Sequence, residues 1–544
     1  MQFTHYSKKD FSHNLYGNII GGVTTAIIAL PLALAFGIAS GAGALAGIYS
    51  AILIGFFAAF FGGTSSQISG PTGPMTVVMT VVFIEFTSQY PDHGMYYAFT
   101  TVVLSGVIQI LMGFMRLGKY IVMVPYPVVS GFMTGIGIII ISLQVAPLLG
   151  FESAANVVQA FKNLPQQIAN ANIIELALGL VSLIVLFIWR GALDKKIPSA
   201  VVVLLLGTSS VFMFDLEKSV SVVGAIEAGL PAFSMPVINS DIALDLLYYS
   251  LMLAILGAID SLLTSLVADN MTKQQHHSDR ELIGQGLGNI FAGLFSALPG
   301  AGATMRTVVN IKAGGTGPLS GIVHSIILLS VALGFGFLFE SIPLAVLSAI
   351  LIKVGIDIID WPFLLRANKL PIFTIALMLI VVFITVFIDL ITAVFVGVFL
   401  KNIIVIQRLS DLELGQITIV TGFEETLPEQ VNENEYSILK SSNGKLALVR
   451  ISGPITYAVS RGLSKRLSQI GNPSTLLLEF SSSSIIGIST ALLLEQEIKN
   501  WQAKGAQVKL IDTTPNDRAE IKQLGIVELV GQQNCYESFI AAAV

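Results

Sequence analysis

FGGTSSQISGPTGPMTVV at residues 61–78 and FAGLFSALPGAGATMRTVV at residues 291–309 are two copies of one pattern, roughly 230 residues apart. Each leaves a hydrophobic stretch, passes through Gly, Pro and Ser, and restarts as a short apolar helix carrying Thr-Val-Val. A helix that begins inside a bilayer exposes N–H groups that have no intrahelical partner, and paired interruptions of this kind point to the binding site of a transporter. The two copies therefore predict two helix N-termini aimed at one buried anion.

The rest of the chain supports a membrane setting. Hydrophobic residues make up 54% of the 544 and charged residues 12%, and the mean hydropathy is +0.79, far too apolar for a soluble protein of this length. The 50 glycines suit closely packed membrane helices. A single cysteine, Cys535, excludes a disulfide within the chain and any cysteine-based metal cluster. The net charge of −5 says less than its distribution. The first residues, MQFTHYSKKDFSHNLYG, lack an apolar core followed by a small-residue cleavage site, so no removable signal peptide is expected.

Charge density divides the chain. Of the 29 Lys and Arg and 34 Asp and Glu, 26 follow Arg408, leaving 37 in the first 408 residues. Only the first part holds runs near the ~20 residues that a helix needs to cross a bilayer. The predicted division is a membrane domain at 1–410 and a second domain at 411–544. Fourteen apolar segments fall in the first part in two sets of seven. The first set covers 17–38, 43–61, 72–88, 95–115, 121–146, 171–190 and 198–214. The second covers 243–267, 282–297, 303–311, 318–339, 342–358, 370–387 and 389–407. The segments opening near Thr72 and Ala303 are short and read as the helical parts of broken spans.

Basic residues test this topology, because Lys and Arg favour cytoplasmic loops. With the N-terminus inside, Lys8, Lys9, Arg116, Lys119, Arg190, Lys195, Lys196, Lys273, Arg280, Lys312, Arg366, Lys369, Lys401 and Arg408 fall at cytoplasmic ends. Only Lys162 and Lys218 fall outside. Both termini are then cytoplasmic, and an odd number of helices per half requires the two halves to be inverted relative to each other.

Extending the repeat backwards sets AIIALPLALAFGIASG at 26–41 opposite ILGAIDSLLTSLVADN at 255–270, so that Leu30 and Pro31 stand near Asp260 and Ser261. A carboxylate near a helix centre costs about 2.5–3.5 kcal/mol on insertion scales and usually faces a cavity or an ion. Thr264 follows one turn later on the same face. With carbonyls freed at 299–302 and the Thr304 hydroxyl, these groups make an all-oxygen set suited to a hard monovalent cation. Arg306, in the first turn of the second short helix, is a secondary candidate for the anion, weighed against a structural ion pair or snorkelling to the interface.

GPTGPM at 70–75, the helix holding Asp260 and Thr264, and AGATMRTVVN at 301–310 resemble the SulP (SLC26) anion transporter family. The ALPLALAFGIASGAG and LPGAGATMRTVVN stretches are most similar to its BicA-type bicarbonate transporters. The resemblance implies an all-α polytopic domain of fourteen transmembrane segments in a seven-plus-seven inverted repeat. It also implies a UraA-like core moving against a gate, and sodium-coupled bicarbonate uptake. It implies sodium at Asp260, Thr264, Gly302, Ala303 and Thr304, and the anion at Thr72, Ala303 and Thr304. Sodium neutralising Asp260 removes a like-charge penalty against bicarbonate, so each ion should tighten the other by the same factor. The same scaffold could instead move sulfate, a dicarboxylate or halide by proton coupling or exchange, with Asp260 titrating.

Other polar residues have plainer readings. Glu85 is interfacial, Lys353 snorkels, and His276–His277 lacks the helical spacing and extra ligands of a metal site. After 410 the chain alternates: KLALVRISGPITYA, STLLLEFSSSS and QVKLIDTT read as strands, and VSRGLSKRLSQI, STALLLEQEIKNWQAKG and PNDRAEIKQLG as helices. This cytoplasmic α/β unit resembles the STAS domain that ends SulP transporters. Where that domain carries an Asp before a Ser/Thr-rich helix start, this chain has Gly487 or Ile488, which favours a packing and dimerisation module over phosphoswitching at Ser489 or Thr490. The Ser481–Ser484 run is no phosphate loop. The implied partners are a small anion, sodium, the bilayer and a second copy of the chain; no cofactor, nucleic acid or enzymatic activity is expected. A membrane-tethered sensor is the third class considered, but it would not need two matched broken helices. The expected location is the plasma (inner) membrane.

Overall fold

The computed structural model describes residues 14–121, 125–154, 156–189, 198–216, 219–224, 231, 233–334, 340–388, 390–424, 430–452, 460–480, 488–512, 522–523 and 525–544. Lys8, Lys9, Arg190, Lys195, Lys196, Lys218, the Ser481–Ser484 run, Gly487 and most of the helix predicted at 515–525 lie outside the described residues. Two compact units divide the chain, Met1–Val398 and Phe399–Val544.

Among the described residues, a helix overlaps each of the fourteen apolar segments. The first set is α1 (Leu15–Ala39), α2 (Ala44–Phe61), α3 (Gly73–Gln89), α4 (Gly94–Phe114), α5 (Tyr126–Leu148), then, after an additional helix α6 (Val157–Ala169), α7 (Ile173–Ile188) and α8 (Ser199–Met213). The second is α9 (Ala243–Thr272), α10 (Ser278–Leu294), α11 (Thr304–Lys312), α12 (Leu319–Gly334), α13 (Leu344–Ile358), α14 (Ile372–Phe387) and α15 (Leu390–Gly415). Among the described residues, six helices are individually long and apolar enough to cross a bilayer. The sequence pattern predicts a loop around Lys162, and α6 is a helix there instead. Its apolar residues Val158, Phe161 and Ile168 are exposed, and it meets α7 at an angle of 115°.

Packing sorts these helices into two groups. α10 lies along α2 and α4, α12 packs on α1 and α2, and α9 contacts α4 and α11. Separately, α13 and α14 pack on α5, and α13 also packs on α7. Small residues make the closest crossings possible, as membrane helices require when van der Waals contact drives association. At the crossing of α4 with α10, a Cβ on Gly106 would sit 2.5 Å from the Gly286 carbonyl oxygen, and one on Gly286 would sit 2.5 Å from that of Gly106. Neither contact is with a side chain that could swing away. Replacing Gly286 by Leu should therefore separate the two helices, since overpacking costs about 1–3 kcal/mol or more. Detergent-solubilised variant is expected to lose its monodisperse size-exclusion peak, and a peak and melting temperature equal to the parent's would refute the close-approach argument.

In the second unit, a five-stranded sheet runs in the order β3 (Ile417–Val420), β4 (Leu446–Ile451), β5 (Thr475–Phe480), β6 (Gln507–Asp512), β7 (Cys535–Tyr536). β4 to β7 are mutually parallel and β3 pairs antiparallel with β4. Alternate residues cover both faces, as a buried parallel sheet requires. Val449, Leu478 and Leu510 pack with Leu494, Ile498 and Trp501 of α16 (Ile488–Ala503). Leu448, Leu477 and Ile511 form the opposite core with Leu439 and Phe539. The strands predicted from 445 and 474, and the helix predicted from 489, agree with β4, β5 and α16. The sequence reading missed β3, whose four residues give too short an alternation to stand out. Thr490 is fully buried.

Candidate anion and cation site

The two interrupted segments meet each other. β1 (Ser69–Gly70) and β2 (Ala301–Gly302) pair antiparallel, with Ser69 opposite Gly302 and Gly70 opposite Ala301. The Ala303 N–H extends the pairing to the Ile68 carbonyl at 2.8 Å. Irregular backbone at membrane depth must satisfy its polar groups inside the protein, and here each broken segment does so for the other. Directly beyond the pairing, α3 starts with Thr72 at its N-cap and α11 with Ala303 at its N-cap, and neither side chain caps its helix. Two uncapped N-termini thus open from adjacent points, each equivalent to about half a positive charge.

The candidate residues gather around this crossing. Thr264 Oγ1 is 3.0 Å from the Gly302 carbonyl oxygen, to which it donates, and 2.7 Å from Thr304 Oγ1. Asp260, one turn earlier on α9, is 7% exposed. Asp260 Oδ2 and Thr72 Oγ1 are both buried without a hydrogen-bond partner among the described residues. Buried polar atoms are rarely left bare unless a ligand, water or ion completes them. Carboxylate, hydroxyl and carbonyl oxygens are ligands for hard cations, and the donor set fits a monovalent cation such as sodium. Thr304 is exposed, which leaves an open edge to the site.

Arg306 differs from its neighbours. It is 2% exposed, whereas Met305 beside it is 63% exposed. Its Nη2 donates to the Pro71 carbonyl at 2.7 Å, and its Nη1 is buried without a partner. The guanidinium therefore ties the second broken helix to the residue preceding Thr72, and it does not snorkel. Gly70 makes room for it: its φ is +157°, and a Cβ there would lie 2.6 Å from Arg306 Nη1. Sequence reasoning passed over several residues that hold the crossing together. Ser261 Oγ accepts from the Gly302 N–H at 3.0 Å, Thr307 Oγ1 accepts from the Ile68 N–H at 3.1 Å, and Asn289 brackets Gly300 through both its carbonyl and its N–H. Only Ser261 carried a signal, its place beside Asp260. His276 lies away from this set, with Nδ1 2.7 Å from Asp269 Oδ2 and Nε2 2.9 Å from Ser278 Oγ. Lys353 pairs with Asp357 one turn on.

Known proteins resemble both units. The sulfate permease family model matches residues 15–404, and the STAS domain model matches 437–542. The bicarbonate transporter BicA of Synechocystis sp. is 42% identical over 476 residues, which are 87% of this chain and 84% of that protein. The solved transmembrane domain of a cyanobacterium bicarbonate transporter BicA is 48% identical with a TM-score of 0.66, covering 70% of this chain and 97% of its own. The SLC26A9 structure covers 99% of this chain and 90% of its own with a TM-score of 0.82 at 18% identity, a likeness of fold. A mostly helical multi-pass membrane unit with a crossed pair of broken helices, followed by a STAS domain, defines the class of membrane anion transporters. The chain belongs to the sulfate permease (SulP) family.

Proposed function

We propose that this protein is a sodium-coupled bicarbonate symporter that takes bicarbonate up across the plasma (inner) membrane by alternating access. The observation that carries the reading is the buried, unpartnered Asp260 Oδ2, on the helix whose Ser261 and Thr264 hold Gly302 at the antiparallel crossing of β1 and β2. Sodium is bound by Asp260, Thr264, Gly302, Ala303 and Thr304. Bicarbonate lies against Thr72, Ala303 and Thr304, where the N-termini of α3 and α11 converge, with Arg306 adding positive charge from behind. Each helix N-terminus supplies only about 0.3–2 kcal/mol, too little alone to dehydrate a small hydrophilic anion. Sodium beside it compensates, and the two ions bind with reciprocal coupling. The group containing α1 to α4 and α9 to α12 is the core that carries the site, and the group containing α5, α7, α8, α13 and α14 is the gate.

The membrane domain at 1–410 and the domain at 411–544 have both termini in the cytoplasm, and the chain acts as a homodimer through its STAS domain. The match to the sulfate permease model supports one other reading: sulfate, dicarboxylate or halide moved by proton coupling or exchange. Uptake of radiolabelled bicarbonate and sulfate into proteoliposomes, with and without a sodium gradient, separates the two. Sodium-stimulated bicarbonate uptake that sulfate does not compete is expected. Sodium-independent uptake competed by sulfate would establish the second reading.

A further inference from the structure

One layer behind the crossing lies a carboxylate that the transport reading leaves unused. Glu281, in the first turn of α10, is 1% exposed. Its Oε2 accepts from the Gly63 N–H at 2.9 Å, and its Oε1 accepts from Gln67 Nε2 at 2.8 Å and Gln285 Nε2 at 2.7 Å. All three partners are donors, which matches the acceptor-only character of an ionised carboxylate. This pairing fixes an amide that could otherwise point either way. Because Glu281 takes the Nε2 of Gln67, Gln67 must turn its Oε1 to the other side, where Ser265 Oγ lies 3.1 Å away. Ser265 Oγ also lies 2.7 Å from Thr64 Oγ1 and 3.0 Å from the Ser261 carbonyl, and its single proton is shared between that carbonyl and Gln67 Oε1.

The chain of contacts ends on the site. The Gln67 amide lies flat against Gly302, so close that a Cβ there would be 2.3 Å from Gln67 Nε2. Ser261 holds the Gly302 N–H from the other side, and Thr264 holds its carbonyl. The backbone of Gly302 is thus held on one side by the Gln67 amide and on its N–H side by Ser261, both of which belong to the network that Glu281 anchors, and this placement sets where its carbonyl points. Gln285, the third donor, also reaches Ser69 Oγ at 2.6 Å, on the strand residue opposite Gly302.

We propose that Glu281 is the positioning residue of the cation site: through Gln67 it orients the Gly302 peptide, and it sets sodium affinity without touching the ion. This rests on the sodium reading given above. Outer-shell partners of metal ligands commonly change affinity on the order of 10–100-fold when lost. Glu281→Gln replaces the acceptor that orders Gln67, Gln285 and Gly63 with a group that brings its own donors, so the Gln67 amide loses its single orientation. Glu281→Asp keeps the charge and should recover part of the effect. Ser265→Ala breaks the link between Gln67 and Ser261 while leaving the carboxylate in place.

The test measures sodium-dependent thermal stabilisation of the full-length protein in detergent, together with uptake kinetics in proteoliposomes. Glu281→Gln is expected to raise the half-saturating sodium concentration in both assays on the order of 10–100-fold, with maximal uptake at saturating sodium retained. Ser265→Ala should raise it less, and Glu281→Asp should fall between parent and Glu281→Gln. A folded Glu281→Gln variant with the parent's half-saturating sodium overturns the proposal. So does a loss of maximal uptake or melting temperature with sodium dependence unchanged, because that pattern belongs to a purely structural residue. If Glu281→Gln does not fold, Ser265→Ala decides in the same way. A parent protein that sodium neither stabilises nor stimulates would remove the sodium reading itself, whereas sodium dependence in the parent with none of these shifts removes the Glu281 inference alone.

Discussion

Asp260→Asn is expected to leave a folded protein whose bicarbonate uptake no longer responds to sodium. The substitution is nearly isosteric at a position that is 7% exposed, and Oδ2 has no hydrogen-bond partner to lose. An amide keeps the volume while removing the charge that attracts a cation and repels an anion. Coupling between two ligands of this kind is worth about 1–3 kcal/mol, or 5–150-fold in affinity. In the parent, sodium should lower the bicarbonate concentration for half-maximal uptake by a factor in that range, and bicarbonate should do the same for sodium. In the variant both factors fall to near one, because the reciprocity is thermodynamic and cannot be lost from one side alone. Uptake measured over a grid of sodium and bicarbonate concentrations tests both directions at once. Full sodium dependence in Asp260→Asn would show that the cation is held elsewhere.

Much of this site could be read from the sequence because membrane helices leave few places for polar residues. Gly-Pro interruptions in two apolar runs, and one carboxylate in the middle of a third, are costly features that packing alone does not explain. Those features led to Thr72, Asp260, Thr264 and the 301–304 stretch. The structure brings all of them to one crossing. The contact between the two interruptions was not legible, because β1 and β2 are two residues each and no periodicity survives at that length. Glu281 and Gln67 were not legible for a different reason. In the sequence, Glu281 stands in a polar run beside Arg280 and Asp279 and looks like the cytoplasmic start of a helix. Only the fold turns it inward to meet a glutamine 214 positions earlier. α6 was missed because Pro165 and Lys162 break its apolar pattern, and a proline there reads as a helix breaker.

The near-symmetry of the two halves also accounts for how the proposed site would hold opposite charges. The paired strands set α3 and α11 side by side, and both present positive helix ends. The second half adds a carboxylate at Asp260, where the first half has Leu30 and Pro31 in α1. Arg306 adds the opposite charge from α11. On the proposed reading the repeat provides the anion's surroundings, and its local departures provide the cation's.

Arg306 is where this separation of roles can be tested most sharply. Its Nη2 holds the Pro71 carbonyl at 2.7 Å, one residue before Thr72, and no carboxylate among the described residues neutralises it. Arg306→Leu removes a charge-assisted hydrogen bond between the two broken segments, an interaction worth about 1.5–3 kcal/mol. It also removes positive charge from behind the proposed anion site. The expected result is a rise of roughly 10–150-fold in the bicarbonate concentration for half-maximal uptake. The sign is opposite for the cation: a buried guanidinium repels sodium, so sodium-dependent stabilisation measured without bicarbonate should be unchanged or stronger. Arg306→Lys keeps the charge but offers a point donor in place of a planar fork, and should restore only part of the bicarbonate affinity. Complete recovery in the Lys variant would show that charge alone matters and that the tie to Pro71 does not. If sodium and bicarbonate affinities fell together in Arg306→Leu, the guanidinium would be holding the whole crossing in place and not favouring the anion.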